Sequence, residues 1–303
     1  MMDNVFLENK RFVARGESEG WEKTAEFLTT YLRDKVREVG VARRAFEPET
    51  VDSSQIDRNE NDDIPRMIFD IEQGATAVSM NFRGKGTLNY FNNTKFSIQF
   101  NKIESEHFKK NKGELATVRM PIQEVLDQNT VYAMYGREDV GFRDLLDAAT
   151  DGDSVRDLTA SGTSLVKADL VSLLKIPPKK KGRPAKLIMT EDTFMDVLGW
   201  DSTDAGDDLV KEIVINGFQY KTLMGVPVIT SINVLDTDAG DGVWNYRHIY
   251  VIPDKQYLGV FKLLHEATHE VKAEADELEF WSWEYPGMGL GNTRHVGRLE
   301  LTT

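Results

Sequence analysis

Apolar residues spaced i, i+3, i+4 mark 120–151 as the stretch around which the chain is built. Pro121 suits a first helical position, where its missing N–H and fixed φ cost nothing. Ile122, Val125 and Leu126 follow, and Phe142, Leu145, Leu146 and Ala149 repeat the pattern. Gly136 and Gly141 lie between the two halves. The spacing predicts one long helix with a weakened middle, or two helices in near alignment. Unbroken, it would reach roughly 45 Å at about 1.5 Å per residue.

Period two dominates before that helix. Val78, Met80 and Phe82 alternate with Ala77, Ser79 and Asn81; Phe96, Ile98 and Phe100 alternate with Ser97, Gln99 and Asn101. This predicts a β-hairpin over 75–103, with a first turn at Arg83-Gly84-Lys85-Gly86-Thr87 and a second bend at Asn92-Asn93. Further upstream, Trp21, Phe27, Leu28, Tyr31, Leu32 and Val39 give apolar surface to a helix over 21–39. Arg43-Arg44-Ala45-Phe46-Glu47-Pro48 and the polar run to Pro65 hold too few hydrophobes for a core. Residues 1–65 read as a disordered terminus or as an arm that orders against a neighbouring subunit, and the aromatic anchors, unusual in disorder, favour the arm.

After the long helix, Asp151-Gly152-Asp153-Ser154 is a break. A capped helix is expected over 161–174, with Leu165, Val166, Leu170, Val171 and Leu174 on one side. Leu187-Ile188-Met189 is strand-like, and Thr190 starts a helix that ends near Trp200. Short β-prone runs follow at Ile213-Val214-Ile215, at Val226-Pro227-Val228-Ile229 and at Ile249-Tyr250-Val251-Ile252. Val271, Ala273 and Ala275 alternate with charged residues, and Leu278, Phe280 and Trp281 lead into another β-prone run. Tyr285-Pro286-Gly287-Met288-Gly289-Leu290-Gly291 predicts a break. A backbone helix with a hairpin on one side and an α/β region on the other suits a shell-building protein better than an enzyme.

Composition narrows this picture. The 303 residues are 40% hydrophobic and 29% charged, enough to bury the core of one large or two interlocked domains. No apolar run is long enough for a membrane span or a signal peptide, which predicts a soluble chain assembled in the cytoplasm. With no cysteine, disulfides, thiolate metal sites and cysteine nucleophiles are excluded. A net charge of −13 argues against tight non-specific nucleic-acid binding. The exception is 179–186, where Lys179, Lys180, Lys181, Arg183 and Lys186 surround Gly182 and Pro184. A Gly-Arg-Pro centre among lysines has the look of a minor-groove arm. The strand-like run directly after it favours a solvated loop tip.

Four motifs carry candidate chemistry. Gly-Lys-Gly-Thr at 84–87 lacks the spacing and following helix of a phosphate loop, and is a turn. The 236–242 run puts Gly240, Asp241 and Arg247 where a calcium loop needs Asp or Asn, Gly and Glu, and is also a turn. Gly287, Gly289 and Gly291 mimic a dinucleotide fingerprint without a following βαβ unit. His265-Glu266-Ala267-Thr268-His269 is a complete H-E-x-x-H. On a helix, His265 and His269 would bind zinc with Glu266 as general base, and Glu279 or Glu284 as the third ligand. That alternative makes the protein a zinc metallopeptidase. The alternation after His269 argues against it, so no metal, cofactor or catalytic residue is assigned.

The order of several stretches resembles a known family. Tyr250-Val251-Ile252-Pro253, Tyr257-Leu258-Gly259-Val260-Phe261, Phe280-Trp281-Ser282-Trp283-Glu284, Gly289-Leu290-Gly291-Asn292 and Val296-Gly297-Arg298-Leu299 resemble the end of a tailed-bacteriophage major capsid protein of the Hong Kong 97-type fold. The run from Tyr220 to Thr230 is similar to the family's axial-domain crossing. Leu187-Ile188-Met189-Thr190 with Phe194 and Trp200 matches its style, and Arg43-Arg44 to Pro48-Glu49 resembles its arm.

The resemblance implies an α+β Hong Kong 97-type capsid fold. Its parts would be an N-terminal arm (1–67), an extended β-hairpin loop (68–112), a peripheral domain (113–156 and 245–285) with a long spine helix, and an axial domain (157–244 and 286–303). It implies a non-enzymatic shell subunit of the virion, assembled in the bacterial host cytoplasm. Hexamers and pentamers of the chain would form an icosahedral head around double-stranded DNA, without sequence-specific binding and without a membrane. Its partners would be a portal protein, a scaffolding protein that is separate or already removed, and a decoration or cement protein. Inter-subunit contacts are expected from Trp21, Phe27, Tyr31, Phe82, Arg83, Lys85, Leu88, Tyr90, Phe91, Lys180 and Arg183. Lys85 or Lys95 would be placed for the cross-link that some relatives form. An encapsulin-type nanocompartment shares the fold and is the remaining alternative.

Overall fold

The structure, a computed structural model, describes residues 38–57, 64–71, 94–115, 122–200, 222–234 and 242–302. Its strands in chain order are β1 (Glu49–Thr50), β2 (Arg66–Ile71), β3 (Thr94–Gln99), β4 (Ile103–Glu104), β5 (Phe108–Asn111), β6 (Asp157–Thr159), β7 (Lys186–Thr190), β8 (Thr222–Leu223), β9 (Val226–Ser231), β10 (His248–Ile252), β11 (Gly259–Glu274), β12 (Glu277–Leu290) and β13 (Gly297–Glu300).

The 120–151 expectation resolves as a single helix, Ile122–Thr150, unbroken through Gly136 and Gly141. We call it the spine. Phe142, Leu146 and Ala149 enter one core with Val41, Phe46, Ile188, Trp244, Tyr250, Phe261 and Leu263. A second core gathers Leu165, Leu170, Leu173, Leu187, Met189, Phe194, Ile249, Val251 and Leu299.

The two cores lie on opposite faces of a six-stranded sheet ordered β6-β13-β10-β7-β9-β8. Side chains alternate across a strand. Leu187 and Met189 of β7 therefore reach one core and Ile188 the other, and β10 splits Ile249 and Val251 from Tyr250 and Ile252 in the same way. Double burial explains why these strands read as short continuous apolar runs. A second sheet, β1-β11-β12-β4 with β5 also on β12, is built on the long antiparallel β11–β12 ribbon. A third pairs β2 with β3.

Several expectations change. The strand opposite Phe96 and Ile98 is β2, with Met67 across from Ile98 and Phe69 across from Phe96; the 77–82 partner and both turns lie outside the described residues. The helix expected over 161–174 starts at Lys167. Ser161 instead donates its backbone N–H and hydroxyl to Asp169 in the first turn of that helix, each at 3.0 Å. Of the helix expected over 21–39, residues 21–37 lie outside the described residues, and Glu38 and Val39 are not helical. The run after it contributes more than an arm: Val41–Phe46 forms a short helix with Val41, Ala42, Ala45 and Phe46 buried.

The break expected at 285–291 is instead the continuation of β12 to Leu290. Its glycines form a stripe on which β3 and the residue after it pack. A Cβ on Gly287 would sit 2.8 Å from Phe100 Cδ1, one on Gly289 2.6 Å from Ile98 Cγ2, and one on Gly291 2.7 Å from Phe96 Cε1. Sheet membership also divides 245–285: β10 lies in the six-stranded sheet, while β12 carries the other sheet past residue 285.

Candidate functional site

His265 and His269 lie on β11, not on a helix. Residues four apart in an extended strand are separated by up to about 13 Å, too far for one ion to collect both rings. The ribbon is irregular around His265, with register shifts on either side of it. His265 faces the Trp283 ring at 4.6 Å between centroids, while His269 Nδ1 meets Ser282 Oγ at 2.6 Å and Asp127 at 3.6 Å. Glu284, the candidate third ligand, is buried with Arg43 and Glu138. Glu279 turns to His107, and this contact holds its carboxyl below the usual range. The zinc-peptidase arrangement is therefore not formed, because β pairing disperses the residues that a helix would gather. Among the described residues no group of three or more His, Asp or Glu is placed to hold a metal ion.

What the chain does bring together is a junction at the helix Val41–Phe46, hereafter the strap. Gly40 offers no side chain to cap it. The spine supplies the cap: Asp139 accepts from the Val41 and Ala42 amides at 3.0 and 2.8 Å. A carboxylate at a helix start satisfies orphan N–H groups and the helix dipole together. At the other end, Lys186 Nζ donates to the Arg44 and Ala45 carbonyls at 2.8 and 3.0 Å. Lys186 thus leaves the solvated loop tip predicted for 179–186, and burial lowers its pKa. Arg43 reaches Glu138 and Glu284, and Arg44 donates to the Thr230 carbonyl at 2.8 Å. One turn of helix is therefore tied to the spine, to β12 and to the six-stranded sheet.

A second feature is the outer face of the β11–β12 sheet. On β12, Leu278, Phe280, Ser282 and Glu284 are buried, whereas Trp281, Trp283 and Tyr285 alternate with them half-buried. His107 stacks on Trp281 at 5.0 Å, and Trp283 donates its indole N–H to Glu270 at 2.8 Å with Lys102 over its ring. These side chains form an aromatic row edged with charge.

Of the expected inter-subunit residues, Lys180 and Arg183 are exposed, as are Lys179 and Lys181. Trp21, Phe27, Tyr31, Phe82, Arg83, Lys85, Leu88, Tyr90 and Phe91 lie outside the described residues. Lys95 is exposed beside Asp70. Sequence reasoning missed Glu138 and Asp139. Their signal was present: Met134, Glu138 and Phe142 share one face at i, i+4, i+8, so a carboxylate interrupts an apolar stripe.

No protein-family model and no characterised protein matches the sequence. Solved structures do match. The capsid of cyanophage P-SCSP1u superposes with a TM-score of 0.65 at 9% identity, over 93% of this chain and 94% of that one. The capsid of the native GTA particle gives 0.62 at 12%, over 95% and 99%. A Mycobacterium phage Bobi structure gives 0.57 at 13%, over 94% and 99%. The chain has the tailed-phage capsid fold. It is the Hong Kong 97-type α+β arrangement, present along nearly the whole chain. In this capsid fold the spine and the two larger sheets are the elements that the strap joins.

Proposed function

We propose that the chain is a structural shell subunit, the major capsid protein of a tailed phage, assembling with copies of itself into an icosahedral head around double-stranded DNA. The observation that carries this reading is the near-complete coverage of both chains in matches to capsid structures at identities of 9–13%. A fold kept end to end while sequence diverges this far points to a geometric role more than to a grafted reactive site. The half-buried Trp281, Trp283 and Tyr285 row supports self-association, since aromatic surface of this kind marks partner contacts.

On this reading, copies form hexamers and pentamers in the bacterial host cytoplasm. The head takes a portal, a scaffolding protein and a decoration protein as partners. The arm, hairpin, peripheral and axial divisions predicted above are part of the same proposal, with β10 on the axial side.

Electron microscopy and sedimentation of the purified full chain test it. Closed shells of uniform size are expected, and particles isolated from infected cells should carry nuclease-protected DNA. A chain that stays monomeric with its scaffold present overturns the reading. Shells loaded with a protein cargo in place of DNA would favour an encapsulin-type compartment.

A further inference from the structure

The junction that holds the strap contains more acid than base. Arg43 gives Nε to Glu138 Oε2 at 2.7 Å, and Nη2 to Glu138 Oε1 at 2.7 Å and Glu284 Oε2 at 2.9 Å. Both glutamate side chains are fully buried. Asp139, next along the spine, is occupied by the Val41 and Ala42 amides and by the Trp244 indole. The guanidinium also lies 4.4 Å from the Tyr135 ring centroid. One cation therefore faces two buried carboxylates, with a third on the adjacent residue.

Among the described residues Glu284 Oε1 meets no donor. An ionised Glu284 would bury an acceptor unsatisfied beside a second anion, which is costly. A proton on Glu284 reverses the situation, because the carboxyl can then donate to the neighbouring Glu138 carboxylate. Burial first, and the Glu138 charge next, push Glu284 up to about 8. Burial also raises Glu138 and Asp139.

We propose that Glu138 and Glu284 form a proton-operated latch, in which the pair shares one proton at neutral pH and its loss sets the two carboxylates against each other and loosens the strap's junction with the spine and β12.

The other charged groups nearby are committed elsewhere. Arg44 of the strap turns to Glu38 and the Thr230 carbonyl. Glu104 of β4 pairs across from Trp283 and binds Lys102 and His107. Asp127, nearer the start of the spine, meets His269 of β11. Lys186 of β7 holds the far end of the strap. Among the described residues Arg43 is the cation in contact with either glutamate.

The proton belongs to the pair, since the two sites titrate together. The folded chain binds it more tightly than the unfolded chain, whose ordinary glutamate value is 4.5. The latch's contribution to stability is thus complete below that value and is lost as pH climbs through about 8.

Three measurements on the full chain test this. First, the infrared spectrum of wild type at neutral pH should hold a protonated-carboxyl carbonyl band that disappears at strongly alkaline pH. Second, the wild-type melting temperature should fall between about pH 6 and about pH 9.5, whereas Glu284→Gln, which keeps the shape and the donor, should be flatter and overtake wild type at the alkaline end. Third, the Val41 and Ala42 amides of wild type should exchange faster than those of Glu284→Gln at the same alkaline pH. Absence of the band, or parallel melting profiles, overturns the latch. If Glu284→Gln does not fold, the wild-type band decides alone.

Discussion

Gly259 lies in register with Leu290 across the β11–β12 ribbon and against the Gly289 carbonyl, with no room for a side chain. A Cβ on Gly259 would lie 2.1 Å from the Gly289 carbonyl oxygen, and backbone cannot swing away as a side-chain tip can. Gly259→Ala should therefore prevent this end of the ribbon from pairing. Gly289→Ala presses on the Ile98 side chain instead, and overpacking of that kind costs about 1–3 kcal/mol. Denaturant melts of both variants check the order: Gly259→Ala should be the more damaging. His269→Ala removes a contact with Ser282, a loss of about 0.5–1.5 kcal/mol for a typical hydrogen bond. It should leave the metal content of the purified protein, measured by elemental analysis, unchanged. The glycines at 287, 289 and 291 were visible in sequence and misread, because a stripe without side chains carries no hydrophobic period. In its partner stripe, Phe96 and Ile98 lie on the expected strand and Phe100 just past its end; the match between the two stripes spans almost two hundred residues of chain and has no local signature.

At the scale of elements, the spine is the part most legible in sequence, since Pro121 and two apolar repeats define it without outside help. The strap is the least legible. Six residues with no side-chain cap are too few to hold a helix alone, where nucleation is unfavourable. Its capping groups, Asp139 and Lys186, come from about a hundred residues or more downstream, so no window around Val41 contains them. The tertiary grip replaces local propensity. The two spine glycines also differ in what they meet: among the described residues a Cβ on Gly141 reaches nothing within 4 Å, and one on Gly136 lies 3.8 Å from Asn233 Nδ2. Gly141 is exposed within the helix, where alanine is favoured over glycine by about 0.5–1 kcal/mol. Gly141→Ala should raise stability by about that amount, read as a higher melting temperature of the unassembled chain. A fall would mean that Gly141 is needed for a bend in the spine or for close approach of a neighbour.

For the whole molecule, charge would set the terms of packing against nucleic acid in the proposed shell. Each phosphate contact by Lys or Arg adds to salt-sensitive affinity, and several together would pin a packaged genome to the shell wall. If the chain is the shell subunit proposed above, its net charge of −13, repeated around the lumen, would oppose this within a Debye length, about 8 Å at physiological salt. The exposed quartet Lys179, Lys180, Lys181 and Arg183 is the local exception, and Lys186 is not part of it because its ammonium is committed to the strap. The quartet runs from the last residue of the helical turn Ile176–Lys179 into the loop before β7, a loop that holds Gly182 and Pro184. If that loop faces a symmetry axis of a capsomer, neutralising the four should alter the yield or size of shells and leave DNA retention unchanged. If it faces the lumen, assembly should proceed as in wild type while protected DNA per particle falls and becomes less sensitive to salt. We expect the first outcome, because a basic ring around an axis of an acidic subunit can meet acidic neighbours, whereas an inward ring would work against the repulsion that the rest of the chain supplies. Sedimentation of the shells together with nuclease-protected DNA per particle separates the two, provided that Lys186 is left in place so that loss of the strap is not mistaken for loss of the loop.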